Sequence, residues 1–294
     1  MTSLPLGHPE TVASRFLVST DEPPPADVSG LLTGGDLAAL ARELHARSAL
    51  KLREHRPEAD WLARLGGSSG RLRRLRNARH HVLVRVQGAP DDAPRHAQAA
   101  RQAARLLAAA AGGLVVDVDS HQVVGTSPVE REHFVLGDQW IGVFVVGERA
   151  LVRADTWGLH RFGLPELTVR GAPYGHLLTA ANLLRVLAFR LFSRRRAEAV
   201  PGTLLLDGAD LLRFWGARPA PAGRFMVRLS LGAGNCPGCR PALEVGATAF
   251  AGGTTGAGWW DDGPGRALPK LLSARPEPGP TENPLPARDS DRHP

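Results

Sequence analysis

The chain has 294 residues, of which 43% are hydrophobic, a composition that excludes an intrinsically disordered protein and suits one large domain or two small ones. The net charge of +7 is unevenly placed: residues 71–110 and 151–200 are basic, and residues 111–150 between them are acidic. Only two of the 36 basic residues are lysines, so the arginines reflect GC-rich coding and carry less functional weight individually.

Three features that are missing from the sequence bear on the cellular compartment of the protein. The first ten residues hold no basic stretch leading into an apolar segment, no run of about 18 apolar residues occurs, and two cysteines make no disulfide framework. These features predict a cytoplasmic protein without a membrane span.

The N-terminal part predicts one strand and mainly helical structure after it. Residues 15–19 form the strand, and Asp36 is expected to cap a helix through about Leu52, because leucine and alanine recur at helical spacing there. A glycine-rich break at 66–70 comes next and marks a candidate subdomain boundary between an N-terminal segment, 1–70, and an α+β core, 71–262; whether the segment is a separate domain stays open at this point.

The clearest unit is a strand, an alanine-rich helix and a second strand over residues 82–119. Val82, Val84 and Val86 alternate with Leu83, Arg85 and Gln87. Acids and Pro94 then begin the helix, and Gly112–Gly113 ends it. Strands with one wet face favour an antiparallel sheet over a buried parallel one.

The second half repeats this kind of pattern. We expect strands at residues 140–146, 151–156, 166–170, 203–206, 225–231 and 243–247, and a nearly apolar helix at 174–192. The order predicts an α+β fold with mainly antiparallel sheets and helices on one face, and two ferredoxin-like halves are one arrangement that fits. From Gly263 onward, 8 prolines in 32 residues predict a disordered tail.

Cys236 and Cys239 form a CxxC motif, which could hold a zinc ion. A structural zinc needs four ligands and the chain has no second pair, so a hairpin turn with incidental cysteines is favoured. Metal binding across a homodimer is the alternative.

Asp117, Asp119 and His121 alternate at the end of a predicted strand and would share one face. Carboxylate and imidazole ligands there could bind a divalent cation and serve a metal-dependent enzyme. The favoured interpretation is a solvated face, because the valines between them already supply the core side.

The densest basic run contains Arg71, Arg73, Arg74 and Arg76, and extends to Arg79. Phosphate contacts by these side chains would give weak nucleic-acid or anion binding. An exposed helical face is favoured instead, because no aromatic stacking platform or DNA-binding motif accompanies the run.

Residues 158–167, together with 112–117, resemble hypothetical proteins of GC-rich bacteria that are grouped as domains of unknown function. The resemblance covers residues 80–192 and implies no activity. Because no catalytic motif occurs, the sequence favours a non-catalytic binding or interaction module with a protein or small-molecule partner, and it does not favour nucleic acid. It names no cofactor.

Overall fold

The computed structural model describes residues 3–7, 9–25, 27–58, 61–62, 65, 67–125, 127–232, 242–248 and 257–268. Its helices are α1 (Gly35–Ala46), α2 (Ser69–Asn77), α3 (Ala93–Ala110), α4 (Leu177–Ser193), α5 (Asp210–Phe214) and α6 (Ala257–Trp260). Its strands are β1 (Ser3–Pro5), β2 (Val12–Thr20), β3 (Leu50–Glu54), β4 (His80–Gly88), β5 (Leu114–Asp117), β6 (Gln122–Val123), β7 (Gly142–Glu148), β8 (Leu151–Trp157), β9 (Leu167–Pro173), β10 (Ala199–Pro201), β11 (Thr203–Asp207), β12 (Arg224–Gly232) and β13 (Ala242–Gly246). The α+β prediction is confirmed. No helix in the described ranges combines the length and apolarity needed to cross a bilayer.

The first sheet is antiparallel with the strand order β3-β4-β2-β5-β6. Its first four strands and helices α1 and α3 give the β-α-β-β-α-β order of a ferredoxin-like unit. Both helices pack on one face, where alternate strand residues such as Phe16 and Val84 are fully buried. The period-two pattern of β4 therefore corresponds to a real division between two faces.

The opposite face of this sheet is covered at one end only. A small apolar cluster there joins Leu17, Leu114 and Val116 to Leu75 of α2, with Trp61 and Leu62 packed against it. The arginines of α2 remain on its outer side, as expected for an exposed helical face. One cleft opens at the uncovered end of this face, and a second lies beside α2 at the start of β4.

The structure revises the N-terminal prediction at two places. Helix α1 ends at Ala46 rather than near Leu52, because Ser48 has a φ of 59° and the chain then enters strand β3. The predicted boundary at 66–70 also falls inside one sheet, since β2 lies between β4 and β5. Residues 1–70 therefore do not form a unit separate from the α+β core.

Three polar side chains of α3, those of Gln98, Arg101 and Gln102, are buried under the segment 127–132. Gln98 donates to the Arg131 carbonyl at 2.8 Å, and Gln102 accepts the Glu130 amide at 2.6 Å. Arg101 lies 3.4 Å from the Trp140 ring centroid and forms two hydrogen bonds to Glu130, at 2.5 and 2.7 Å. These buried polar groups are acceptable because each finds a partner.

The second sheet has six strands in the order β11-β12-β13-β9-β8-β7, and only its β13–β9 pair is parallel. Helix α4 packs against it and completes a core continuous with that of the first sheet. The folded chain extends to Leu268, beyond the predicted tail boundary at Gly263, because Pro264, Ala267 and Leu268 are buried. Residues 269–294 lie outside the described residues.

Candidate functional site

The acidic turn after β5 is built by Asp117 itself. The strand ends at this residue, and its Oδ1 accepts the backbone amides of Asp119 at 3.0 Å and Ser120 at 3.1 Å. A carboxylate that bonds the amides just ahead of it fixes a turn. Asp119 is thereby turned back over β2, where its Oδ2 accepts the Arg15 amide at 2.8 Å.

A second turn, after β8, faces this acidic turn. Gly158 begins it with a φ of 115°, and a Cβ at that position would collide with the Trp140 carbonyl oxygen. Residues Leu159–Phe162 then form a 3₁₀ turn that presents His160 and Arg161 to the two aspartates. Glycine is needed at the entry because other residues are strained at positive φ.

Arg161 joins the two turns through a fully buried ion-pair cluster. Its Nη1 donates to Asp117 Oδ2 at 2.8 Å, its Nη2 donates to Asp117 Oδ1, and Nη2 lies 3.3 Å from Asp119 Oδ2. Burial alone would lower the pKa of Arg161, but the two carboxylates outweigh it and raise the pKa. Burial likewise opposes ionisation of Asp119, yet Arg161, His160 and Arg15 hold its pKa well below the ordinary value.

His160 is held between two carboxylates. Its Nδ1 lies 2.8 Å from Glu166 Oε1, and its Nε2 lies 3.3 Å from Asp119 Oδ1. Burial lowers the pKa of the imidazole, but the two carboxylates outweigh it and raise the pKa to about 9. The ring is therefore a cation at neutral pH and donates both of its N–H groups to the protein.

The Glu166 carboxylate is also held by several hydrogen bonds. Its Oε2 accepts the Thr156 hydroxyl at 2.8 Å, and its Oε1 accepts the amides of Gly158 at 2.9 Å and His160 at 3.1 Å. Three carboxylates thus face three cations, the third being Arg15, whose Nε and Nη2 reach Asp119 Oδ1 at 2.8 and 2.7 Å. The formal charges of this network balance.

A cleft of about 630 Å³, here called the first cleft, opens beside this network. Its cationic side comes from the uncovered end of the first sheet, with Arg15, Arg53 and Arg85, and from His55 beyond β3. The other lining residues include an apolar set: Leu83, Val118, Trp157, Leu164 and Pro165. The cleft therefore combines cations with apolar surface, which is the usual make-up of a site for an organic anion.

The cations of the first cleft form a row across the sheet. Arg85 of β4 pairs directly with Arg15 of β2 on one side and with Lys51 of β3 on the other. Like charges directly opposite one another on neighbouring strands destabilise a sheet. Arg15 is compensated by Asp119, whereas Arg53 and Arg85 have no ion-pair partner among the described residues.

A second cleft, of about 590 Å³, lies beside the first, and His55 lines both. It is lined also by His80 and His81 at the start of β4, and by Arg76 and Arg79. Ser19 Oγ lies 2.9 Å from His81 Nδ1, and burial together with the neighbouring His55 lowers the pKa of His81. The lining of the second cleft is mainly basic, and Glu54 is its acidic residue.

The structure does not bring Asp117, Asp119 and His121 together as a metal site. The strand alternation that would align them stops at Asp117, and both carboxylates are buried against arginine rather than solvated. His121 has a φ of 54° and stacks on Trp157 with ring centroids 4.5 Å apart. Within the described part of the chain, no group of three or more His, Cys, Asp or Glu side chains is placed to hold a metal ion.

The remaining predicted site residues have different outcomes. Cys236 and Cys239 lie outside the described residues. The arginines at positions 71, 73, 74 and 76 are exposed on α2, and of these Arg76 lines the second cleft. Sequence reasoning did not single out Arg15, Arg53 and Arg85, although the alternation of β4 already placed Arg85 on the wet face.

Comparisons with known proteins identify no relative. No family model matches the chain, and neither a curated protein nor a solved structure matches it.

Proposed function

We propose that this protein is a non-catalytic binding module whose first cleft takes an anionic ligand with an apolar body. The observation that carries the proposal is the pair Arg53 and Arg85, which are exposed in the cleft and have no ion-pair partner among the described residues. The carboxylate of Glu166 in the same lining is occupied by four donors. Among the lining residues that the structure describes, an arriving anion therefore meets cations and no free carboxylate.

A binding role rather than catalysis is supported by the state of His160. A general base needs an unprotonated nitrogen within reach of substrate. With a pKa raised to about 9 and a carboxylate on each ring nitrogen, His160 has none at neutral pH. Its charge instead balances Asp119 and Glu166, so it serves the architecture of the cleft wall.

The test uses a pair of dyes that share one apolar body. Anilinonaphthalenesulfonate carries a sulfonate, and anilinonaphthalene is the same ring system without the charge. We expect the sulfonate to bind at least about fivefold more tightly in fluorescence titrations, because Arg forms charge-assisted hydrogen bonds with such oxygens. Equal affinities would show that the cleft does not select anions.

A charge-matched pair of variants locates the binding. Arg53→Gln/Arg85→Gln removes two cations from the first cleft, and Arg170→Gln/Arg228→Gln removes two exposed cations from the second sheet. The first variant should abolish the preference for the sulfonate, while the second should leave it unchanged within about twofold. Equal losses in both variants would refute the cleft as the site.

A further inference from the structure

Building on the proposed function, we propose that the ligand is a single-stranded nucleic acid that runs from the first cleft across edge strand β3 into the second. The basis is the continuity of the two clefts through His55, and the arginines that line each of them.

The cationic surface is too extensive for one small anion. It begins with the row Arg15, Arg85 and Lys51 across three strands, continues through Arg53, and reaches Arg76 and Arg79 beyond the strand edge. Among the described residues no carboxylate pairs with any of these cations except Arg15. Repeated phosphates along a chain would neutralise such a row, and the like-charge repulsion within the sheet would be relieved.

An aromatic side chain distinguishes nucleic acid from other polyanions. Trp157 is half-buried and lines the first cleft, while His121 stacks against it at 4.5 Å. A ring supported in this way presents a rigid surface on which a base can stack, and stacking of this kind accepts any base. The sequence alone did not show that Trp157 lies beside the arginine row, because the two come from different sheets.

The measurement is fluorescence anisotropy with a labelled oligothymidylate of about twelve nucleotides, with an abasic strand of equal length as comparison. We expect the thymidylate to bind at least about fivefold more tightly than the abasic strand. Raising salt from about 50 to 200 mM should weaken binding by about 50-fold for four phosphate contacts. Equal binding of the two strands would overturn the proposal in favour of a general polyanion surface.

Variants assign the path of the strand. Arg76→Gln/Arg79→Gln in the second cleft and Arg53→Gln/Arg85→Gln in the first should each weaken binding at least about fivefold, and Arg170→Gln/Arg228→Gln less than about twofold. All six arginines are exposed, so none of these changes disturbs the core. Equal weakening by all three pairs would mean that net charge alone is responsible, and would refute the path.

The dye titration separates this proposal from the one on which it rests. If the sulfonate binds through Arg53 and Arg85 but the oligonucleotide does not bind, the first cleft takes a small anion and the nucleic-acid proposal fails. If neither binds, both proposals fail. Binding to vesicles of anionic phosphatidylserine without binding to the oligonucleotide would likewise overturn it in favour of a lipid surface.

Discussion

His160 illustrates how the charge of one residue is set by its neighbours. The imidazole is 34% exposed, yet the carboxylates of Glu166 and Asp119 keep it protonated well above its ordinary pKa of 6.5. Its protonation is therefore linked to folding, because the folded protein binds this proton more tightly than the unfolded chain does.

The raised pKa of His160 fixes the sign of a pH dependence of stability. The stabilisation is fully present below about pH 6.5 and is lost as pH rises through about 9. Allowing for solvent screening of a partly exposed group, we expect a loss of about 1–2 kcal/mol. Urea unfolding at about pH 6 and pH 9.5 measures it, and His160→Gln should show little of this change. A wild-type stability that is flat across this range would contradict the assignment.

The buried pair of Asp117 and Arg161 yields a second prediction. Asp117→Ala should destabilise the protein by about 3–5 kcal/mol, because the fully buried guanidinium loses its main partner. The control is Glu43→Ala, whose pair with Arg47 is solvent-exposed on both sides and should cost less than about 1 kcal/mol. Chemical denaturation measures both. Similar losses of unfolding free energy in the two variants would show that the buried pair stabilises the protein no more than the exposed pair does.

These residue roles could be predicted from sequence only in part. The acidic string at 117–121 indicated a site of interest, and the structure places it beside the first cleft. Its partner Arg161 is 44 residues away from Asp117 along the chain, and no local pattern links the two. The favoured interpretation of a solvated face was wrong, because Asp117 and Asp119 are buried against Arg161. In sequence, carboxylates at a strand end look the same whether solvent, a metal ion or an arginine faces them.

At the scale of elements, helix α3 depends on small residues. Ala100 and Ala104 are fully buried, and the helix packs closely on β2 and β4. Ala100→Leu should destabilise by about 1–3 kcal/mol, since the added atoms have no space. Ala109→Leu on the exposed side of the same helix should change stability by less than about 0.5 kcal/mol. Thermal denaturation measures both, and equal effects would argue against close helix–sheet packing.

Helices and strands were predicted correctly where the spacing of apolar residues stays regular through the whole element. Strand β4 and helix α3 were recognised because alternation and helical spacing each persist through the element. Strand β3 was missed because Leu50 and Leu52 continue the apolar pattern of α1, and only the positive φ of Ser48 separates the two. A backbone angle at one non-glycine residue leaves little trace in sequence.

At the scale of the whole molecule, the five-stranded and six-stranded sheets belong to one folded body. One apolar core includes residues from both, and the Arg161 cluster links the turn after β8 to the end of β5. The glycine-rich stretch at 66–70 looked like a boundary because composition reports local chain flexibility. It does not report that β2, from one side of the break, pairs with strands from the other.

This architecture predicts how fragments of the chain behave. Residues 71–268 lack β2, which lies in the middle of the first sheet, and β3 at its edge. Without β2, strands β4 and β5 have no common neighbour, so we expect no cooperative urea transition by circular dichroism. A fragment of residues 1–268 keeps every described element and should unfold in one transition with the midpoint of the full chain. A cooperative transition for 71–268 would show that the first 70 residues are dispensable, and that the sheet is not a single folding unit.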